Sequence, residues 1–133
     1  MSRANVEMIQ SLYAAFSRGD IAPIAAAATT NTEWRVNGRA KDFPLFGVWK
    51  GPAGVQEFFK LVAQHEEFSE FTPQSFHGVD DKVFVLGRYT QRVKKTKRNV
   101  SSDWVHVFRV HAGKVVSFCE YTDTAQFAEA WRG

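Results

Sequence analysis

The chain is short of several things, and each shortage excludes something. It has one cysteine in 133 residues, so no internal disulfide forms. That residue, Cys119, sits inside a strand pattern, as expected of a chain held in a reducing, cytoplasmic compartment. No apolar run approaches the roughly 20 residues that cross a bilayer, and the opening MSRANVEMIQ has no signal-peptide core. A membrane partner is not expected. Net charge is only +3, and the basic residues scatter, except for Lys94-Lys95-Thr96-Lys97-Arg98. With no aromatic platform or RNA motif beside it, that cluster reads as a solvated turn, and nucleic acid is not an expected partner. There is no Gly-x-Gly-x-x-Gly, P-loop or nucleophile-elbow serine, which argues against a nucleotide cofactor and covalent serine chemistry. His65, His77, His106 and His111 stand far apart, without Cys or carboxylate at ligand spacing, so no metal is expected.

Aromatic rings are what the chain does have: 12 Phe and 4 Trp. So many imply a large aromatic core or an aromatic-lined pocket. Hydrophobic residues make up 44% and charged residues 23%, a globular balance at a length that suits one domain over 1–133.

Val6, Ile9, Leu12, Tyr13 and Phe16 recur at helical spacing. Gly19 ends that helix, and Asp20 is placed to cap a second, Ile21 to Ala28, with Pro23 in its first turn. Thr29 to Thr32 breaks the pattern before a short strand, Glu33 to Val36. Residues 38–54, punctuated by glycine and proline, read as a structured loop carrying Phe43, Phe46 and Trp49. Val55, Phe58, Phe59 and Val62 mark a third helix. Glu66 to Phe71 reads as a link to strands at 73–79, 83–94, 99–111 and 114–122, and Thr122-Asp123-Thr124 caps a last helix through Trp131. Helices first and an antiparallel sheet after make an α+β domain.

The segment Asp103 to Tyr121 reads as a hairpin. A three-residue turn, His111-Ala112-Gly113, with a bulge would pair Val110 with Lys114. Trp104, His106, Phe108, Val110, Val116, Phe118 and Glu120 then share the inner face, with His106 opposite Phe118 and Trp104 opposite Glu120. His106 and Glu120 become diagonal neighbours within side-chain reach, an acid–base pair on an aromatic-walled face. A two-residue turn would instead flip the second strand and separate them. A strand histidine is more often a satisfied core residue than a catalyst. A glutamate on a buried face is more informative, since it must meet a pocket or the sheet edge. The other face, with Val105, Val107, Val115 and Tyr121, is also half apolar, so a homodimer through the outer sheet face is expected.

These pieces resemble a known family. Ile9 to Asp20, Glu33-Trp34, Gly47-Val-Trp-Lys-Gly51, Gln56-Glu-Phe-Phe59, Trp104 to Val110, Gly113-Lys-Val and Glu120-Tyr-Thr-Asp123 are similar, in order and spacing, to SnoaL-like polyketide cyclases. They also resemble the ketosteroid isomerase-like proteins of the nuclear transport factor 2-like superfamily. The resemblance implies a cystatin-like α+β cone: a curved antiparallel sheet packed on N-terminal helices around a ligand cavity. It implies acid–base chemistry without a cofactor, with Glu120 and His106 in the catalytic places. Glu120 stands for an aspartate, which moves the carboxylate by about a bond length. The ketosteroid isomerases fit less well. Glu33 to Asn37 offers no aspartate base, Tyr13 is one residue out of register for the helix-one tyrosine, and His106 replaces the second aspartate.

The expected pocket residues are Tyr13, Trp34, Phe46, Trp49, Phe58, Phe59, Val62, Trp104 and Phe118, around an apolar, polycyclic small molecule. The expected activity is cyclisation, isomerisation or dehydration of a carbonyl compound. The alternative is a ligand-binding or dimerisation protein of the same fold.

Overall fold

Ile9, Leu12 and Ala15, spaced at three and three, are the buried residues of the first helix, and their face turns toward a sheet built mostly from residues 66–121 and partly from two earlier strands. The computed structural model describes residues 2–133. In chain order they form α1 (Ser2–Ser17), α2 (Ala22–Ala26), β1 (Ala28–Val36), β2 (Gly47–Lys50), α3 (Gly51–His65), β3 (Glu66–Val79), β4 (Lys82–Val93), β5 (Arg98–His111), β6 (Lys114–Tyr121) and α4 (Thr124–Arg132). The strands make one curved, open sheet in the order β2-β1-β6-β5-β4-β3. α1 packs on β3 and β4, and α3 on β1 and β2. The α+β arrangement expected from the sequence is the one observed.

Several local expectations are corrected. The sheet is not wholly antiparallel, because β1 runs parallel to β6. Residues 47–50 pair with β1 as a strand rather than a loop. Thr29 to Thr32 does not break the chain but belongs to β1, where a bulge between Ala28 and Glu33 absorbs it. Thr32 is fully buried there, donating through Oγ1 to the Val115 carbonyl at 2.6 Å. Asp20 does not cap α2, whose N-cap is Ile21 without a side-chain bond. Glu66 to Phe71 is the first half of β3. Two bulges, between Phe68 and Glu70 and between Pro73 and Ser75, shift the in–out phase along this strand and hide its period. Pro73 is tolerated because β3 is an edge strand. The basic 94–98 turn is not simply solvated. Lys95 Nζ lies 4.0 Å from the Trp131 ring centre, Thr96 Oγ1 donates to Ala130 O at 2.6 Å, and Arg98 donates to Gly133 O at 3.0 Å, so the turn holds the end of α4.

The β5–β6 hairpin matters most. Its turn has two residues, Ala112 (φ 50°) and Gly113 (φ 75°), between paired His111 and Lys114. That is the primed geometry matched to strand twist, with an alanine where glycine, asparagine or aspartate is usual. Val110 pairs with Val115, and then a bulge at Val116 shifts the register so that Arg109 faces Ser117, Phe108 faces Phe118 and His106 faces Glu120. The expected three-residue turn is wrong, and so is the pairing of His106 with Phe118. The bulge adds back the one residue that the shorter turn omits, so His106 and Glu120 still share the inner face. Val115, not Val116, is the buried residue beside the turn.

Candidate active site

Inward positions alternate down β4 and β5. Val83, Val85, Tyr89, Gln91 and Val93 are buried on β4, and Val100, Ser102, Trp104, His106, Phe108 and Val110 on β5. The His106 imidazole is therefore aimed at the helices. Trp104 stacks behind it with ring centres 3.9 Å apart, and Phe118 meets its edge at 4.9 Å. The Trp104 ring has room because the residue paired with it is Gly87. A Cβ at Gly87 would overlap the indole and stand 2.7 Å from the Thr72 carbonyl.

His106 is held at both nitrogens. Nδ1 lies 2.5 Å from Tyr13 Oη of α1, and Nε2 lies 2.8 Å from Glu120 Oε1. The Glu120 side chain is only 15% exposed, and its second oxygen accepts from Tyr89 Oη at 3.1 Å. Tyr89 also donates to Thr122 Oγ1 at 2.7 Å, one proton serving two acceptors. Burial, and then the negative charge of Glu120, hold the Tyr13 and Tyr89 phenols well above their ordinary value of 10.0, so both remain donors at neutral pH. Tyr13 has a proton to give and His106 Nδ1 to receive it. A ring that accepts at Nδ1 carries its hydrogen on Nε2 and donates to Glu120 Oε1. Every proton in the chain Tyr13–His106–Glu120 has an acceptor.

A cavity of about 80 Å³ lies between sheet and helices, and its wall includes Tyr13, His106 and Glu120. Of the residues expected to line it, Trp34, Phe46, Phe58, Phe59, Val62 and Phe118 do so with Tyr13. Trp49 and Trp104 do not. Trp49 sits on β2 with its ring against the edge of Phe58, and Trp104 backs His106.

Three polar wall residues escaped the sequence reading: Tyr89, Gln91 and Glu66. The first two follow Val83 and Val85 at even steps on β4, so the alternation that finds those valines would have found them too. Glu66 was hidden by the linker reading of β3. It is 9% exposed, and burial together with the charge of Glu120 pushes its carboxyl well above the ordinary 4.5, opposed by the neighbouring Gln91 amide. Glu66 therefore keeps its proton above the pH at which an ordinary glutamate loses it. Among the described residues, two buried polar atoms in the wall have no partner: the Trp34 Nε1 donor and the Gln91 Oε1 acceptor.

Residues 9–118 match the SnoaL-like domain family. The chain belongs to the SnoaL-like family. Solved structures agree with that placement. An NTF2-like protein from Burkholderia xenovorans LB400 is 32% identical, with a TM-score of 0.88 over 98% of this chain and 97% of that one. TerC, co-crystallised with polyporic acid, is 26% identical, with a TM-score of 0.80 over 97% of this chain and 98% of its own. A candidate SnoaL-like polyketide cyclase from Mesorhizobium loti shares the fold alone, at 17% identity and a TM-score of 0.71 over 91% of this chain and 99% of that one. No curated protein matches the chain. In this SnoaL-like protein Glu120 reaches His106 directly across the β5–β6 ladder.

Proposed function

We propose that this SnoaL-like protein is a cofactor-independent acid–base enzyme acting on an apolar carbonyl compound in the cone. The observation that carries the reading is the hydrogen-bonded chain Tyr13–His106–Glu120 around the buried His106, with the carboxylate on the cavity wall. Glu120 takes a proton from the carbon beside the carbonyl, leaving an enolate. Return of that proton to another carbon gives isomerisation. Attack of the enolate on a second carbonyl gives aldol cyclisation, and loss of a β-hydroxyl gives dehydration. Both nitrogens of His106 are engaged, so it orients Glu120 rather than the carbonyl, and Tyr13 fixes its tautomer. The unpartnered Trp34 N–H is the donor available to the carbonyl oxygen. TerC, crystallised with an organic acid, supports a small-molecule role for this fold.

The test is exchange of the methyl protons of acetophenone in D₂O, followed by proton NMR. Wild type should exceed buffer, and Glu120→Gln should lose about 10²–10⁴-fold of that excess. Exchange at the buffer rate sinks the reading.

The cavity volume favours a second reading, a binding or dimerisation protein without turnover. About 80 Å³ is less than the ~150 Å³ of a dry cavity that takes benzene, so even a one-ring ligand enters only if half-buried rings such as Phe59, Phe68 and Phe71 swing aside. We assign the outer sheet face, with Leu86 and Tyr121 exposed, to a homodimer, and the protein to the cytoplasm, where half-buried Cys119 stays a thiol. Light scattering that gives a monomer mass removes the dimer.

A further inference from the structure

We propose that Gln91 and Glu66 form a second polar station of the cavity that binds a hydroxyl of the substrate, which is therefore a small hydroxylated carbonyl compound. The carbonyl end of this statement rests on the acid–base reading above, while the hydroxyl end rests on separate observations. Gln91 is 1% exposed, it lies in the cavity wall, and its Oε1 has no hydrogen-bond partner among the described residues. An amide oxygen at that depth costs free energy unless a donor reaches it. The unpaired atom is an acceptor, so the group that completes it must be a donor. A ketone oxygen would leave it orphaned, whereas a hydroxyl satisfies it. Glu66 stands beside the amide in the same wall and offers the hydroxyl oxygen a donor in return. Around these two the wall is aromatic, with Phe59, Phe68, Phe71 and Tyr89, so a phenol ring suits it.

The spacing fits a ligand of about one ring. Gln91 follows Tyr89 by two residues on the inner face of β4, which separates them by about 6–7 Å. Tyr89 in turn holds Glu120. A single aromatic ring would reach between them, with the carbon beside its carbonyl at Glu120 and its hydroxyl toward Gln91.

The experiment compares 4-hydroxyacetophenone with 4-methylacetophenone, a probe of similar size without the donor. Affinities are measured by calorimetry on wild type, Gln91→Leu and Glu120→Gln. Wild type should prefer the hydroxyl compound by about tenfold, and Gln91→Leu should lower that ratio to near one. Gln91→Met, of similar length and without the amide, gives the same readout should Gln91→Leu fail to fold. A merely structural glutamine would change both affinities together and leave the ratio. A ratio near one in wild type overturns the station, since the Glu66 acid and Gln91 oxygen then satisfy each other. No binding of either probe, or a preference that survives Gln91→Leu and vanishes in Glu120→Gln, overturns it as well. Exchange of unsubstituted acetophenone reports the acid–base reading separately. Exchange with a ratio of one sinks the station alone. A tenfold ratio without exchange sinks the enzyme and keeps the station, as part of a binding site.

Discussion

His106 stands directly opposite Glu120 across the β5–β6 ladder, with 2.8 Å between Nε2 and Oε1. Tyr13, on the first helix, closes the other side of the ring. The pair is thus tied to the N-terminal helix through one hydroxyl, and that hydroxyl sets which nitrogen carries the hydrogen.

Removing the hydroxyl tests this. Tyr13→Phe should cost about 1–3 kcal/mol of stability, since Nδ1 loses its Tyr13 partner in a buried place. Nitrogen-15 NMR should show His106 as the Nε2–H tautomer in wild type and as a mixture in the variant. A single unchanged tautomer in Tyr13→Phe would show that Glu120 alone fixes the ring.

Glu66 predicts a pH dependence. Its folded value lies above the ordinary 4.5 because of burial and the charge of Glu120. Above that ordinary value the native state keeps a proton that the unfolded chain has released. Stability therefore falls as pH rises from about 4.5 toward the raised folded value. Glu66→Gln should flatten this fall and raise stability at neutral pH. Urea melts from pH 4 to 8 measure the slope, and equal slopes in the two proteins would place Glu66 in an ordinary, solvated environment.

Gly87 is where the backing of the site is thinnest. Gly87→Ala forces the Trp104 indole off its place behind His106, and overpacking of this kind typically costs about 1–3 kcal/mol. The His106 ring-proton shifts should move with it, because the stacked indole is the nearest ring. A variant with wild-type stability and shifts would mean that the β3–β4 edge yields instead.

Ala112 occupies φ 50°, a left-handed conformation that alanine adopts at a cost and asparagine adopts readily. Ala112→Asn should raise stability by about 0.5–1 kcal/mol without moving the pair. A thermal melt measures the gain, and a loss would mean that the turn is not of the primed type.

That same alanine explains where the sequence misled. A primed two-residue turn is legible when its first residue is asparagine or glycine, and Ala112 suppressed the signal. The bulge at Val116 has no marker in a run of valines, so Val116 was placed inside instead of Val115, but beyond the bulge the two errors of register cancelled and Phe118 and Glu120 came out on the inner face. Helices α1 and α3 were legible because their apolar spacing is regular. The polar wall residues were not, because Glu66 lies ahead of two bulges that break the alternation of β3. Tyr89 and Gln91 were passed over on a strand whose phase was already available from Val83 and Val85. Trp49 and Trp104 are pocket residues by the family resemblance, but they serve as backing, a distinction that depends on which side of a neighbouring ring each one packs.

The bulge at Val116 has a consequence for how this hairpin can change over time. Tip length and bulge together fix whether the strands meet at an even or an odd count, and only an even count keeps His106 and Glu120 on one side. A single residue gained at the tip, or the bulge lost, would turn every later side chain of β6 over. Both together cancel. Relatives with a tip one residue longer should therefore lack the bulge, so the two traits are inherited as one.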